Sequence, residues 1–444
     1  MAGQKEPMTS TQSDIATASW ERIREVQLDE LREQLRRVRS SSEFYRKRLS
    51  GLDIDNLEIP DDLTKIPLLV KDDVRQSLAE APPFGRHACA DVSDVVQTQA
   101  SSGTTGRPTY VGISERDLQE WRETVAEVFR TNGMKAGESC IHALGLSKGF
   151  VGGIPVLQGL QELGVNVIPI GAEAGPDRLL HVADDLEPEN LVATPNFVRY
   201  LGRQAPDVLG KDASELSIQR VSCGGEPGLD AMREELSELW GAEITQIMGA
   251  TEIAPAYFAE CEHRNLHMVR PERYLPELLD PETGDPLEWT EGTTGELVVS
   301  TLTREVTPMI RYRLGDVVTV TRTGCPCGRT MPAIHCHGRT DDMLIVRGVN
   351  IFPSAIQDVF TDTELPIPGV FRIRKPFQGH STEQRLPLVV EYDEGHGDDA
   401  ADIGKVLTDL LQSRLAVATD LEMVPEGTID RPSEDEKVSF IIEE

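Results

Sequence analysis

Between about residues 92 and 340, short β-rich runs (VSDVVQTQA, NVIPI, NLVATP, QRVSCGG, ITQIMG, GELVVSTL, VVTVT) alternate with helical stretches such as ERDLQEWRETVAEVFRTNG and GLDAMREELSELWG. Alternation on this scale has few packing solutions, because each helix must bury its apolar stripe against a sheet whose central strands run parallel. The chain therefore reads as α/β, with layered sheets and helices forming a large N-terminal domain over residues 19–340. The texture changes after GRTDD. Residues 341–444 hold the β-like MLIVRGVNIFP and PLVVEYDE and the helical IGKVLTDLLQSRLA, which read as a separate small α+β domain with its boundary at Asp341. Residues 1–18 are mostly polar and small and read as a flexible tail. Over Trp20 to Leu49, Trp20, Ile23, Leu28, Leu31, Leu35 and Val38 recur at helical steps, giving one charged helix whose apolar stripe packs on the body.

Composition narrows the function classes. A chain of 444 residues exceeds what one core organises, and its formal net charge of −31 repels phosphate backbones and anionic lipid surfaces. No nucleic-acid or membrane partner is expected. No run of about 18 apolar residues occurs and the first residues lack an apolar core, which predicts a cytoplasmic protein. The seven cysteines are an odd number, and two stand in a Cys-Pro-Cys run, which suits reduced thiols or a metal better than disulfides. Cys89, Cys140 and Cys223 read as small buried residues.

The strongest local signal is Ser101-Ser102-Gly103-Thr104-Thr105-Gly106-Arg107-Pro108-Thr109 after a β-like stretch. Two glycines permit close backbone approach, and clustered hydroxyls and amides can surround a polyphosphate. The Gly-Lys-[Ser/Thr] ending of the Walker loop is absent, and Gly, Ser and Thr also build ordinary turns. Downstream come GGEP (224–227), MGATE (248–252), RYRLGDVV (311–318), CPCGR (325–329) and GRTDDMLIVRGVNIFP (338–353). With SSEFYRKRL (41–49) and TKIPLLVKDDVR (64–75), this ordered set resembles the phenylacetate-CoA ligase family, aryl-CoA ligases of the adenylate-forming superfamily. On an alternating strand Arg311 and Arg313 point the same way and read as surface charges, outside the catalytic set.

The resemblance implies that ATP and a carboxylic acid give an acyl-adenylate and pyrophosphate, and that coenzyme A then displaces AMP to give a thioester. Ser101, Ser102, Gly103, Thr104, Thr105, Gly106 and Arg107 would hold the β- and γ-phosphates, Thr251 the α-phosphate, and Glu252 a Mg²⁺ bridging phosphate oxygens. Asp316 would accept both ribose hydroxyls, Arg339 would sit by ribose and phosphate, and Gly224, Gly225 and Glu226 would line the adenine. Asp341 matches the family's hinge, which makes the C-terminal α+β domain small and mobile, rotating between half-reactions. The family's C-terminal catalytic lysine follows an Arg-Ser-x-Gly-Lys pattern. Here Arg431-Pro432-Ser433-Glu434-Asp435-Glu436-Lys437 lacks the glycine, so either Lys437 reaches the site from a longer loop or acidic residues take its place.

By position the acyl pocket involves 142–153, with Lys148 toward a ring substituent or the carboxylate, and Gly249, Ala250 and Ala254, small residues that leave room for a flat ring. An aromatic acid, phenylacetate- or benzoate-like, is the expected substrate. Cys325 and Cys327, joined by Cys261 and His267, would make a closed structural zinc site, as in some members of the family; His263, Cys336 and His337 compete as ligands, and plain reduced thiols are the alternative. Homodimers are common in the family. Two alternatives stand beside the CoA ligase: an adenylating enzyme that passes the acyl group to a carrier protein or an amine, and a nucleotide-binding homologue with impaired catalysis.

Overall fold

The computed structural model describes residues 15–60, 62–101, 109–147, 149–226, 228–340, 343–347, 349–363, 365–377, 381–382, 384–429 and 440–443. The first helix, α1 (Trp20–Ser41), starts at Ser19, whose hydroxyl accepts the Arg22 N–H. Its buried stripe holds Ile23, Leu31, Leu35 and Val38 but also two glutamines seven residues apart. Gln27 Nε2 donates to the carbonyls of Pro271 and Tyr274 at 3.0 and 2.9 Å, and Gln34 Nε2 to Arg304 at 2.9 Å. The helix thus caps body carbonyls while burying apolar surface. It does not run to Leu49: the chain is extended at Ser42, whose hydroxyl bonds the Arg86 carbonyl, and a short α2 (Glu43–Arg48) follows.

Next come α3 (Lys71–Glu80), the hairpin of β1 (Gln97–Ala100) and β2 (Tyr110–Ile113), and α4 (Glu115–Thr131). Then β3 (Ser139–His142), α5 (Ile154–Leu163), β4 (Asn166–Pro169), α6 (Pro176–Leu186), β5 (Asn190–Ala193), α7 (Pro195–Leu209), β6 (Arg220–Cys223), α8 (Leu229–Trp240) and β7 (Glu243–Ala250) alternate. From β7 the chain turns antiparallel, through β8 (Ala254–Glu260), β9 (Leu266–Met268), β10 (Tyr274–Leu279), β11 (Thr294–Thr301), β12 (Tyr312–Arg322) and β13 (Ala333–Arg339). All eleven strands from β3 to β13 join one sheet in the order β10-β11-β12-β13-β9-β8-β7-β6-β5-β3-β4. The parallel strands expected at the centre are therefore one half of the sheet. β7 pairs parallel with β6 and antiparallel with β8, and so carries the change of direction.

Arg311 is not a surface charge. It is 3% exposed, with Nε 2.9 and 3.0 Å from the two Glu277 oxygens and Nη1 2.6 Å from the Ile66 carbonyl. Arg313 pairs with Glu296, whose side chain is buried. Cys140 and Cys223 are buried as expected, and Cys89 is half-buried. Beyond β13 lie β14 (Leu344–Val346), β15 (Val349–Ile351), α9 (Pro353–Thr361), β16 (Phe371–Lys375), β17 (Ser381–Thr382), β18 (Leu386–Tyr392), α10 (Ala400–Leu415), β19 (Thr419–Pro425) and β20 (Ile441–Glu443). This C-terminal sheet-containing region has its own core, in which Ile356, Phe360, Phe371, Leu388, Leu407 and Leu411 pack together.

Helices α4 and α5 pack closely because Gly159 lacks a side chain: a Cβ there would lie 2.3 Å from Val125. Gly159→Ala should lower the unfolding free energy by about 1–3 kcal/mol, the usual cost of an overpacked contact, read by urea denaturation.

Candidate active site

The Gly-rich stretch is the loop of the β1–β2 hairpin, and Ser102, Gly103, Thr104, Thr105, Gly106 and Arg107 lie outside the described residues. Its two ends are tied together. Ser101 N–H donates to the Thr109 carbonyl at 2.9 Å, and Ser101 Oγ accepts from Thr109 N–H at 3.0 Å and from Thr109 Oγ1 at 2.9 Å. Thr109 Oγ1 also lies 3.4 Å from Glu252 Oε1, linking the loop to the carboxylate expected to meet Mg²⁺. Thr251 and Glu252 form the tight turn from β7 to β8, where Ala250 pairs with Ala254. A Cβ on Gly249 would stand 2.0 Å from the Pro255 carbonyl oxygen, so this glycine is demanded by the backbone itself. Ala254 is fully buried in the core.

Two tyrosines locate the rest of the site. Burial lifts the pKa of Tyr257 well above normal, and the charges of Asp316 and Glu252 add to the effect. Tyr312 is raised in the same way, by burial first and then by Glu252, with Arg339 opposing. Glu252 acts on both rings, Asp316 on Tyr257 and Arg339 on Tyr312, which brings the three charges into one neighbourhood. Asp316 on β12 stands opposite Arg339 on β13, with Oδ1 and Nη1 3.9 Å apart. The preceding Gly315 has φ +85°, and a Cβ there would come 3.1 Å from Arg339 Nη2. On the sheet's parallel side, Gly224 and Gly225 leave the end of β6, and a Cβ on Gly224 would meet Ile247 Cγ1 at 2.6 Å. Glu226 accepts from Asn196 Nδ2 at 2.9 Å, fixing it against the first turn of α7. The ends of β5, β6 and β7 thus meet where the strand direction changes, the usual ligand crevice of an open α/β sheet.

A second loop follows β3. His142 is fully buried with Nε2 2.9 Å from the Gly152 carbonyl, and burial is the main cause of a pKa near about 4, so the ring is neutral. Glu173 Oε1 accepts the N–H groups of Leu146 and Ser147 at 2.8 and 2.7 Å. Ala100 N–H donates to the Gly149 carbonyl at 2.9 Å, so this loop and the Gly-rich hairpin share a seam. Lys148, Asp341 and Lys437 lie outside the described residues. Thr109, Tyr257 and Tyr312 did not enter the sequence-based site. Thr109 and Tyr312 lie inside quoted motifs without having been given a role, whereas Tyr257 carries no local signal.

Cys261, His267, Cys325 and Cys327 converge, with their ligand atoms all within 4.8 Å of one another. Cys261 Sγ to Cys325 Sγ is 3.7 Å and Cys327 Sγ to His267 Nε2 is 3.8 Å, close to the roughly 3.6–3.8 Å edges of a tetrahedron drawn with Zn–S and Zn–N bond lengths. Burial holds His267 near about 4, keeping it in the neutral, metal-binding form. His337 is engaged elsewhere, 2.7 Å from Thr319 Oγ1. The donors fit a closed four-ligand metal.

Known proteins resemble this chain in sequence and fold. A sequence profile of AMP-binding enzymes matches residues 24–304. Phenylacetate-coenzyme A ligase of Thermus thermophilus is 35% identical over 364 residues, 81% of this chain and 79% of that protein. The Escherichia coli (strain K12) phenylacetate-coenzyme A ligase is 31% identical over 434 residues, 96% of each chain. The chain belongs to the phenylacetate-CoA ligase family. Among solved structures, 2-hydroxyisobutyryl-CoA ligase in the postadenylation state, in complex with 2-HIB-AMP, matches this family member with a TM-score of 0.89 at 25% identity, covering 99% of this chain and 94% of that one. The same ligase in its thioesterification state gives 0.71 over the same shares. One enzyme in two states differs in arrangement and not in fold. The structure described here superposes better on the postadenylation state than on the thioesterification state.

Beside the site, His335 on β13 lies 3.1 Å from Asp230 on α8, and the hydrogen bond to Asp230 is the main cause that raises the imidazole pKa. Asp358 on α9 is pushed up to about 6, by burial first and then by the charge of Asp230. Both groups bind protons more tightly in the folded chain, so their stabilisation is present in mild acid and fades as pH rises through their folded-state values. The His335 and Asp230 side chains are 39% and 47% exposed, which limits the effect to less than about 1 kcal/mol. Between pH 6 and 8 the melting temperature of His335→Asn should rise relative to that of wild type, because the falling contribution of this pair is gone; parallel profiles would refute this.

Proposed function

We propose that the protein is an AMP-forming acid–thiol ligase that adenylates an aromatic carboxylic acid, phenylacetate- or benzoate-like, and passes the acyl group to coenzyme A. In the first step a carboxylate oxygen attacks the α-phosphorus of ATP as the bond to pyrophosphate breaks. In the second the CoA sulfur attacks the acyl carbon, and the bond to AMP breaks as the thiol proton is lost. A carboxylate resists nucleophiles because of its charge, and the phosphoanhydride removes that charge and supplies a leaving group.

The observation that supports this reading most is the convergence of Glu252, Asp316 and Arg339 beside the tied ends of the Gly-rich hairpin. Mg²⁺, when bound, would supply positive charge that offsets the negative charge of the phosphates. Glu252, 7% exposed and met by Thr109, would be the carboxylate that holds it. Asp316 would accept the ribose hydroxyls, and Arg339 would lie toward ribose and phosphate. Thr251 would meet the α-phosphate, Gly224 to Glu226 the adenine, and the loop at 142–153 the acyl group. The C-terminal region beyond Asp341 would rotate between the two steps, with Lys437 as the cation of the first. Zinc would occupy the Cys261–His267–Cys325–Cys327 set and pin β8, β9 and the β12–β13 connection. The protein would work in the cytoplasm.

A pyrophosphate-release screen over aromatic acids should find at least one that turns over with ATP and yields a CoA thioester. Asp316→Asn should cut ATP–pyrophosphate exchange with that acid by about 10- to 100-fold, the loss expected when hydrogen bonds to a charged acceptor are weakened. Tight ATP binding without exchange for any acid would instead support the catalytically impaired homologue, and product only with a carrier-protein thiol would redirect the second step. Metal analysis should find about one zinc per chain. Cys327→Ser or a strong chelator should remove it and lower the melting temperature; a metal-free native protein with an unchanged melt would leave the four residues as plain reduced side chains.

A further inference from the structure

Whatever holds the C-terminal region in its observed arrangement must be strong enough to populate it and simple enough to release. One contact has that form. Arg199 on α7 is anchored by Nε to Glu235 Oε1 of α8 at 2.7 Å, and the same oxygen accepts from Arg203 at 3.0 Å. Its free arm, Nη1, reaches across to the backbone carbonyl of Pro368 at 3.1 Å. The receiving turn, Pro366-Ile367-Pro368-Gly369, belongs to the C-terminal region by its own bonds. Asp393 N–H donates to the Pro366 carbonyl at 3.0 Å, and Gln357 Nε2 on α9 to the Gly369 carbonyl at 3.1 Å. Gly369 has φ +72°, and a Cβ there would lie 3.3 Å from Gln357 Nε2 and 3.6 Å from Arg199 Nη1, so the turn fits closely between the two side chains.

We propose that Arg199 is a positioning residue for the adenylation step, its guanidinium gripping the Pro368 carbonyl and so holding the C-terminal region over the site in the arrangement where the acyl-adenylate forms. This rests on the two-step reading above. The chemistry of the contact suits a resettable catch. When the region rotates away, Arg199 keeps its ion pair with Glu235, and the freed carbonyl takes water, so neither side is left with a buried unpaired group. The contact therefore biases the two arrangements without trapping either. Because the Arg199 side chain is only 17% exposed, solvent competes weakly while the catch is closed. The higher structural similarity to the postadenylation state, 0.89 against 0.71 for the thioesterification state, is the pose this catch would favour.

The test compares wild type with Arg199→Gln and Arg199→Lys, each checked by thermal melting for an intact body. Amide hydrogen exchange needs no substrate and reads the catch directly. Exchange over 365–370 and α9 should speed up severalfold in Arg199→Gln, with α7 still protected. In the half-reactions, ATP–pyrophosphate exchange should fall about tenfold, as expected for one lost charge-assisted hydrogen bond, while thioester formation from supplied acyl-adenylate and CoA holds or rises. Arg199→Lys, which lacks the second arm, should fall between. Unchanged amide exchange at 365–370, or two half-reactions slowed in proportion, would overturn the proposal. Should no acid support pyrophosphate exchange in wild type, the two-step reading fails by itself, and amide exchange still decides whether Arg199 holds the turn.

Discussion

The pairing of β7 governs the geometry of this molecule. On one edge it takes parallel hydrogen bonds from β6, and on the other it folds back antiparallel onto β8 within the three residues Thr251 to Ile253. A parallel neighbour requires a crossover helix, whereas an antiparallel one needs only a turn. The tight reversal therefore puts Thr251 and Glu252 at the point where the strand ends of the parallel half open a crevice. Gly249 makes the reversal sterically feasible, because the Pro255 carbonyl occupies the space a side chain would need. Asp316 and Arg339 reach the same place from the antiparallel half, on neighbouring strands β12 and β13. The candidate site is thus assembled from both halves.

Charged pairs sit inside this body. Arg233 with Glu260, Arg304 with Asp117 and Arg311 with Glu277 each bring a guanidinium and a carboxylate into the interior, with backbone carbonyls sharing the donors. Such pairs add little net stability over apolar packing, but losing one partner strands a buried charge. They fix register between elements far apart in sequence. Glu277 and Arg311 join β10 to the segment entering β12, and Asp117 ties α4 to the backbone at Glu305 and Val306.

Much of this was legible in the sequence, and the exceptions have physical causes. The α/β alternation, the apolar stripe of α1 and the C-terminal texture declared themselves through periodicity; Cys325 and Cys327 stood out by spacing, and Cys261 and His267 joined them through the family resemblance, with other ligands competing. The antiparallel half did not, because short apolar runs such as GELVVSTL look alike whichever way their neighbours run. Gln27 and Gln34 were invisible as core residues, since a buried amide is tolerated only through carbonyls some 240 to 270 residues away. Arg311 was misjudged for the same reason: its burial depends on Glu277 and Ile66, which no local pattern links to it. At the site, Glu252, Asp316 and Arg339 stood out through motif order. Tyr257, a buried ring that feels the charges of Asp316 and Glu252, is an ordinary core aromatic until the sheet is assembled.

The hanging of the loop after β3 has a consequence for how such a chain can diversify. Glu173 and His142 hold it mainly through backbone groups, at Leu146, Ser147 and Gly152, with the Ser147 side chain also bonded to Glu173, and the Ala100 amide stitches it at Gly149. Apart from Ser147, the suspension does not draw on the loop's described side chains. On the proposed reading, lineages could exchange those side chains to accommodate a differently shaped acid while the phosphate-handling hairpin stayed put. Selectivity and activation chemistry would then drift independently, with main-chain bonds as the partition between them.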